Sequence, residues 1–176
     1  MAKITKENAK TKKRVFFDMD GVLANYPKGA QLEEMYQKGY YENLSPQDNM
    51  LSMYNTLHDN YSDVKTYVLT CYLADSPYAL KEKMRWLKKY LPNADPIYVP
   101  CGKSKSDYVY IHTGQPVSKT DFLIDDFTQN LIEFEKNGGT GIKLLNGIND
   151  TNKTWRGLRI NLHDCLNALE KGVLNI

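Results

Sequence analysis

The sequence predicts an α/β domain with a doubly wound parallel sheet, helices on both faces, and a small helical cap inserted after the first strand. Three observations lead there. Short runs rich in β-branched and aromatic residues alternate with segments of helical period. Each of those runs stops at a polar cluster or a turn. At 176 residues, with 41% hydrophobic and 25% charged, the chain is long enough to bury one core without dividing into several.

The elements follow in order. In "KKRVFFDMDGVLANYP", Val15, Phe16 and Phe17 form a short strand that ends at Asp18 and Asp20, with Gly21 in the turn. Two helical patterns come next, "QLEEMYQKG" with Leu32, Met35 and Tyr36, and "PQDNMLSMYNTLHDNY" with Met50, Met53, Tyr54 and Leu57. "VKTYVLT", Val64 to Thr70, is the second strand. "DSPYALKEKMRWLKKYLP" is a helix with Ser76 as N-cap, Pro77 in the first turn, and Leu80, Met84, Leu87 and Leu91 facing inward. "PIYVP" is the third strand, followed by a polar turn and a short helical pattern, "KSDYVYIH". "DFLI", Asp121 to Ile124, is the fourth; Thr128 caps the helix "QNLIEFEKN", and Gly138 and Gly139 close it. "GIKLL" is the fifth strand, and a last helix from about Asn161 turns Leu162, Cys165, Leu166 and Leu169 inward. The organisation expected is a flexible basic N-terminus over 1–13, a core of 14–24 and 64–176, and a cap over 25–63.

Several function classes fall away. The formal charge is +2, and much of the basic excess lies in Ala2 to Arg14, which has no apolar period and reads as solvated. A nucleic-acid polymer is not an expected partner, since its footprint would spread over a folded face. No apolar run reaches membrane-spanning length and the N-terminus has no secretory pattern, so no membrane partner is expected and cytoplasm is the expected location. Cys71, Cys101 and Cys165 are odd in number and lack C-x-x-C spacing, which argues against a disulfide framework and a structural zinc site and for packing roles. His58, His112 and His163 have no partners at ligand spacing.

In a doubly wound sheet, ligands bind outside the carboxyl ends of the strands. Here the first strand ends in Asp18-Met19-Asp20, the second in Thr70 with Cys71 beside it, and the fourth in Asp125-Asp126. The turn after the third carries Lys103, Ser104, Lys105 and Ser106. Carboxylates held together repel unless a cation sits among them, and an oxygen-only set without histidine suits a hard ion such as Mg²⁺. An aspartate beside such an ion can attack a phosphoryl group, and a second acid two residues on can move the leaving-group proton. A hydroxyl and a lysine would hold the phosphoryl oxygens.

These segments resemble the haloacid dehalogenase superfamily. "DMDGVLA" is similar to its first motif, "VLT" to its second, the Lys103/Lys105 turn to its third and "FLIDDF" to its fourth, in the same order and at the same strand ends, over nearly the whole chain from Arg14. Within it, "DMDGVLANY", "KGYYENLSP" and "LIDDFTQNLIEFEKNGGTGIKLLN" are most similar to the 5'(3')-deoxyribonucleotidases and their bacterial and phage relatives. The resemblance implies a Mg²⁺-dependent phosphomonoesterase that forms an aspartyl-phosphate. Asp18 would be the nucleophile and Asp20 the general acid/base, its backbone carbonyl also on Mg²⁺. Asp126 would be the direct metal ligand with Asp125 behind it, and Thr70 with Cys71 would bind phosphate. The segment between the lysine and the paired aspartates is longer than in the animal enzymes; Lys105 is preferred to Lys103 because it opens a helix whose N-terminus would face the phosphate. The implied substrate is a small phosphomonoester, a nucleoside monophosphate with deoxyribose preferred. Tyr26, Tyr36, Tyr40 and Tyr41 cluster in the cap, and Tyr40 and Tyr41 are assigned to ligand contact through their aromatic faces. Two other readings stay open: a phosphatase of another phosphomonoester such as a sugar phosphate, and a non-catalytic nucleotide-binding protein on the same fold.

Overall fold

Val15, Phe16 and Phe17 are wholly buried in β1 (Lys13–Phe17), and the sheet grows from this strand in both directions. The computed structural model describes residues 12–149 and 154–165. After β1 come α1 (Leu32–Met35), α2 (Asp48–Asn60), β2 (Val64–Tyr72), α3 (Ala79–Tyr90) and β3 (Pro96–Pro100). They are followed by α4 (Lys105–Thr113), β4 (Asp121–Asp125), α5 (Thr128–Lys136), β5 (Thr140–Leu145) and β6 (Leu158–Asn161). The strands lie in the order β3-β2-β1-β4-β5-β6 and every neighbouring pair is parallel. The order reverses at β1, so the crevice between the carboxyl ends of β1 and β4 is the switch point of a doubly wound sheet.

Alternation along β1 builds two cores. Val15 and Phe17 face one side, with Met50, Met53, Tyr54 and Leu57 of α2 and Trp86 and Leu87 of α3. Phe16 faces the other, with Val109 of α4 and Leu131 and Phe134 of α5. Each of these large side chains contributes about 1.5 to 3 kcal/mol by leaving water. At the amino end of the sheet, Arg14 forms a two-pronged ion pair with Asp121 at 2.7 and 2.5 Å and donates to the Pro116 carbonyl at 2.7 Å. Both side chains are almost wholly buried, so this end is closed by charge as well as by packing.

Several local expectations are corrected. The pattern at Leu32 makes only the one-turn α1. Ser76 does accept from backbone amides, those of Tyr78 and Ala79, but α3 begins at Ala79 with Tyr78 as its N-cap residue. The buried face of α3 is Ala79, Glu82, Lys83, Trp86 and Leu87, whereas Met84 is half exposed. Two charged residues therefore take places that hydrophobic spacing gives to Leu80 and Met84. Thr128 does not cap α5; its hydroxyl accepts from Lys143, and the Phe127 N–H is taken by Asp125. β6 was not anticipated, since it is a four-residue edge strand with only Ile160 buried. α2, which the sequence assigns to the cap, packs into the core beside β1 and β2. What stands off the sheet leaves at Asn25 and returns at Ser45 to Gln47, closed by Asn25 N–H to Ser45 O and Gln47 N–H to Leu23 O, both 2.8 Å. The N-terminal arm up to residue 11, and Leu166 and Leu169 of the expected last helix, lie outside the described residues, and Asn161, the expected start of that helix, ends β6 instead. Among those described, no helix is long and apolar enough to cross a membrane.

Candidate active site

Parallel pairing carries the first acid to its place: the Asp18 N–H donates to the Ile124 carbonyl at 3.0 Å, so β1 and β4 stay in register until both reach their carboxylates. The chain then folds into a tight turn, with the N–H of Ala24 on the Met19 carbonyl at 2.8 Å and that of Gly21 on the Ala24 carbonyl at 2.9 Å. Gly21 has φ +77°, and a Cβ there would stand 2.8 Å from Asp126 Cγ and 3.0 Å from Asn146 Nδ2. Gly21→Ala should therefore cost about 1 to 2 kcal/mol in backbone strain and push the Asp126 carboxylate aside. A lower melting temperature with a raised half-saturating Mg²⁺ concentration is the expected result; unchanged Mg²⁺ dependence would show that the contact is not needed.

The ammonium of Lys105 sits between two carboxylates, 2.9 Å from Asp18 Oδ1 and 2.7 Å from Asp125 Oδ2. Lys103 is exposed. Asp125 is fully committed: Oδ2 also accepts from Asn130 at 2.8 Å and Oδ1 from the Phe127 N–H at 2.8 Å. Asp126 differs, because Oδ2 accepts from Asn146 at 2.8 Å and Asn149 at 2.9 Å while no described group donates to Oδ1. Asn146 also donates to the Gly21 carbonyl at 2.7 Å, tying the turn after β1 to the end of β4. Lys143 braces this corner from below through the carbonyls of Asp126 and Asn149, at 2.6 and 2.7 Å. Lys83, from α3, reaches Asp20 Oδ2 at 2.5 Å and Thr70 Oγ1 at 3.1 Å.

One carboxylate oxygen from each of Asp18, Asp125 and Asp126 lies within 4.8 Å of the others, and all three residues are buried. Burial pushes the Asp18 carboxyl up to about 8, against the pull of Lys105 and with the repulsion of Asp125 and Asp20. Burial and the Asp125 charge push Asp126 up to about 6, against its two asparagine donors. A site that so disfavours its own ionisation, built from oxygen donors alone, fits a hard divalent cation. A raised folded-state pKa means that the folded form holds protons which the unfolded form has already released. Without metal, the contribution of these two groups to stability should then be fully present below about pH 4 and be lost as pH rises to about 6 for Asp126 and about 8 for Asp18. Mg²⁺ should restore more of it the higher the pH. Melting curves with EDTA or Mg²⁺ across this range test the sign; a stabilisation by Mg²⁺ that is independent of pH would contradict it.

Thr70 is fully buried at the site and Cys71 next to it is half-buried. The neighbouring thiols shift one another, Cys71 upward and the exposed Cys101 down to about 7. Tyr41 is 3% exposed, with its ring centre 4.7 Å from the Lys83 ammonium. Tyr40 packs edge-on to Tyr41 at 5.0 Å and to Tyr26 at 6.1 Å. The cleft of about 270 Å³ over Asp18, Asp20 and Asp126 is walled instead by Tyr26, Phe127, Asn130 and Asn149. Tyr40 thus packs between Tyr26 and Tyr41, and Glu82 accepts the N–H groups of Gly39 and Tyr41 at 2.6 and 3.1 Å and holds that loop against α3. His58 and His112 are engaged with Thr66 and Asp95, away from the carboxylates.

Sequence reasoning missed Lys83, Glu82, Asn130, Asn146, Asn149 and Phe127. "FLIDDFTQN" carried a signal for two of them, since a residue just past the paired acids and one a helical turn on must lie near the same strand end. Lys83 had none, being one of five basic residues in "KEKMRWLKK".

No protein-family model and no curated protein sequence matches the chain. Solved structures do. D,D-heptose 1,7-bisphosphate phosphatase from B. bronchiseptica, complexed with magnesium and phosphate, superposes with TM-score 0.67 at 13% identity, over 93% of this chain and 99% of that one. A haloacid dehalogenase superfamily hydrolase from Ehrlichia chaffeensis gives 0.60 at 15%, over 92% and 98%. A haloacid dehalogenase-like hydrolase from Streptococcus pneumoniae gives 0.59 at 16%, again over 92% and 98%. The fold is a doubly wound α/β sheet domain. More narrowly, the chain shares its fold with hydrolases of the haloacid dehalogenase superfamily.

Proposed function

We propose that the chain is a Mg²⁺-dependent phosphomonoesterase of the haloacid dehalogenase superfamily that acts on nucleoside monophosphates, with 5'(3')-deoxyribonucleotides as the preferred class. The observation that carries the reading is the arrangement around Asp18: a buried carboxylate with Lys105 on one oxygen, Asp20 two residues on, and Asp126 beside it with an oxygen to spare. Asp18, Asp126 and the backbone carbonyl of Asp20 would hold Mg²⁺, which when bound supplies the positive charge that lets these carboxylates approach a phosphate dianion. An Asp18 oxygen attacks phosphorus and the ester P–O bond breaks, its electrons going to the departing oxygen. Asp20 gives that oxygen a proton. In the second half, Asp20 takes a proton from water, the water oxygen attacks phosphorus, and the Asp18–phosphorus bond breaks to release phosphate. Lys105 and the Thr70 hydroxyl hold phosphoryl oxygens throughout, and Cys71 lies beside them. Asp125 takes no part in this chemistry beyond fixing Lys105.

Tyr26 and the half-exposed Phe127 give the cleft two aromatic faces, which suit a planar heterocycle. The covering segment would be 25–47, with Tyr40 packed between Tyr26 and Tyr41. A second reading, a sugar-phosphate phosphatase, is favoured by the likeness to a heptose bisphosphate phosphatase. Release of phosphate from a panel of 5'- and 3'-nucleotides, deoxynucleotides and sugar phosphates, with and without Mg²⁺, separates the two. Preference for sugar phosphates would overturn the nucleotide assignment, and no hydrolysis of any ester would overturn the enzyme.

A further inference from the structure

Lys83 has no place in the steps just given, yet its side chain is fully buried and its ammonium ends at the site. It arrives from α3, 63 residues after Asp20, and makes the 2.5 Å contact with Asp20 Oδ2 and the 3.1 Å contact with Thr70 Oγ1. The ring of Tyr41 lies 4.7 Å away and completes its surroundings with a π face. Burying an ammonium is costly, so a lysine stays in such a place only where partners compensate it. Here the partners are the proposed acid/base and the proposed phosphate-binding hydroxyl. The other Asp20 oxygen is buried and receives no hydrogen bond from a described group, so Lys83 is the side chain that fixes the rotation of this carboxylate.

We propose that Lys83 is a positioning residue for proton transfer: it holds the Asp20 carboxyl group at the leaving-group side of the phosphoryl pocket and couples it to Thr70. The inference rests on the phosphatase reading. It concerns one component of that reaction, the delivery of a proton from Asp20 to the ester oxygen as the P–O bond breaks and the return of a proton to Asp20 from the attacking water. A carboxylic acid free to rotate would serve this step poorly, because proton transfer needs hydrogen-bond reach to the departing oxygen. Phosphoryl capture by Asp18 does not depend on that rotation. Loss of Lys83 should therefore penalise esters in proportion to how much their leaving group needs a proton.

The test compares an alkyl phosphate, whose alkoxide must be protonated to leave, with p-nitrophenyl phosphate, whose phenolate leaves without help. Lys83→Met keeps the volume of the buried stem and removes the ammonium. Its kcat/KM, which reports only the steps up to departure of the alcohol, should fall at least about tenfold more for the alkyl ester than for the aryl ester, the same selectivity expected of Asp20→Asn. Equal losses for both esters would overturn the proposal, since a residue that only supports the fold or binds phosphate would not distinguish leaving groups. Should Lys83→Met fail to fold through the unpaired Asp20, the double variant Asp20→Asn with Lys83→Met removes both charges and is judged against Asp20→Asn alone. Unchanged turnover on adding the second substitution supports action through Asp20; a further drop of tenfold or more overturns it. If the unmodified chain hydrolyses neither ester with Mg²⁺ present, the phosphatase reading falls first and the inference with it.

Discussion

Asp18→Asn should abolish turnover, by about a thousandfold or more, and at pH 8 in EDTA it should melt at the same temperature as the unmodified chain or a higher one. The first half follows from the proposed role of Asp18 as nucleophile, in which no neighbour can replace it: Asp20 is held by Lys83, and Asp125 has donors on both oxygens. The second half follows from the upward shift of Asp18 to about 8, which means that its ionised form is disfavoured in the folded site without metal. Asparagine has nearly the same shape and no charge to bury. With Mg²⁺ present the comparison should reverse, because the unmodified chain gains a ligand that the variant has lost. Ordinary activity in this variant would end the covalent mechanism, and a large loss of stability in EDTA would show that Asp18 is held chiefly for the Lys105 ion pair.

The paired aspartates should separate into two phenotypes. Asp126→Ala should raise the Mg²⁺ concentration for half-maximal activity by tenfold or more while leaving the apo fold nearly intact, because its free oxygen is the one available to a cation and only two asparagine amides lose a partner. Asp125→Ala should instead destabilise the fold by about 3 to 5 kcal/mol, since it strips a buried lysine of its nearer carboxylate and leaves Asn130 and the Phe127 N–H without their acceptor. Melting temperature in EDTA and Mg²⁺ titration of activity are measured for both variants. If Asp125→Ala gave the larger rise in Mg²⁺ requirement, the first of the pair would be the metal ligand, and full activity of the unmodified chain in excess EDTA would remove the metal altogether.

What the sequence made legible and what it hid divide along a physical line. The parallel sheet and the acids at its edge were visible because strand ends are local: an apolar run, a stop, and the residues that follow within two or three positions. Asp18, Asp20, Thr70, Lys105, Asp125 and Asp126 all belong to that class, and the structure brings them together. Lys83 and Glu82 do not. Each sits in a helix whose amphipathic spacing gives the inward face to Leu80 and Met84, and each is buried only because a distant partner, Asp20 or the backbone of Gly39 and Tyr41, satisfies its charge. A single sequence contains no trace of such a partner. That Tyr26 and Phe127 line the cleft while Tyr40 and Tyr41 pack beside it has the same origin, since the clamp on that loop comes from Glu82. β6 was hidden for the opposite reason: four residues with one buried side chain carry too weak a pattern to stand out.

The strand order has a consequence for how the chain must be born. The middle of the sheet is the first strand to leave the ribosome, and its neighbour β4 follows only much later, Asp121 coming 107 positions after Arg14. By the time β3 has emerged, β1 can pair with β2 on one flank while its other flank, Val15 to Phe17, still presents open amides and carbonyls. Closing that flank is a long-range parallel pairing, the slowest kind to form. The nascent chain thus carries its most apolar edge unguarded for over half of its synthesis. The arrival of Asp121 at Arg14, followed by the two acids at the end of β4, covers that flank and brings the carboxylates of Asp18, Asp125 and Asp126 together in one event.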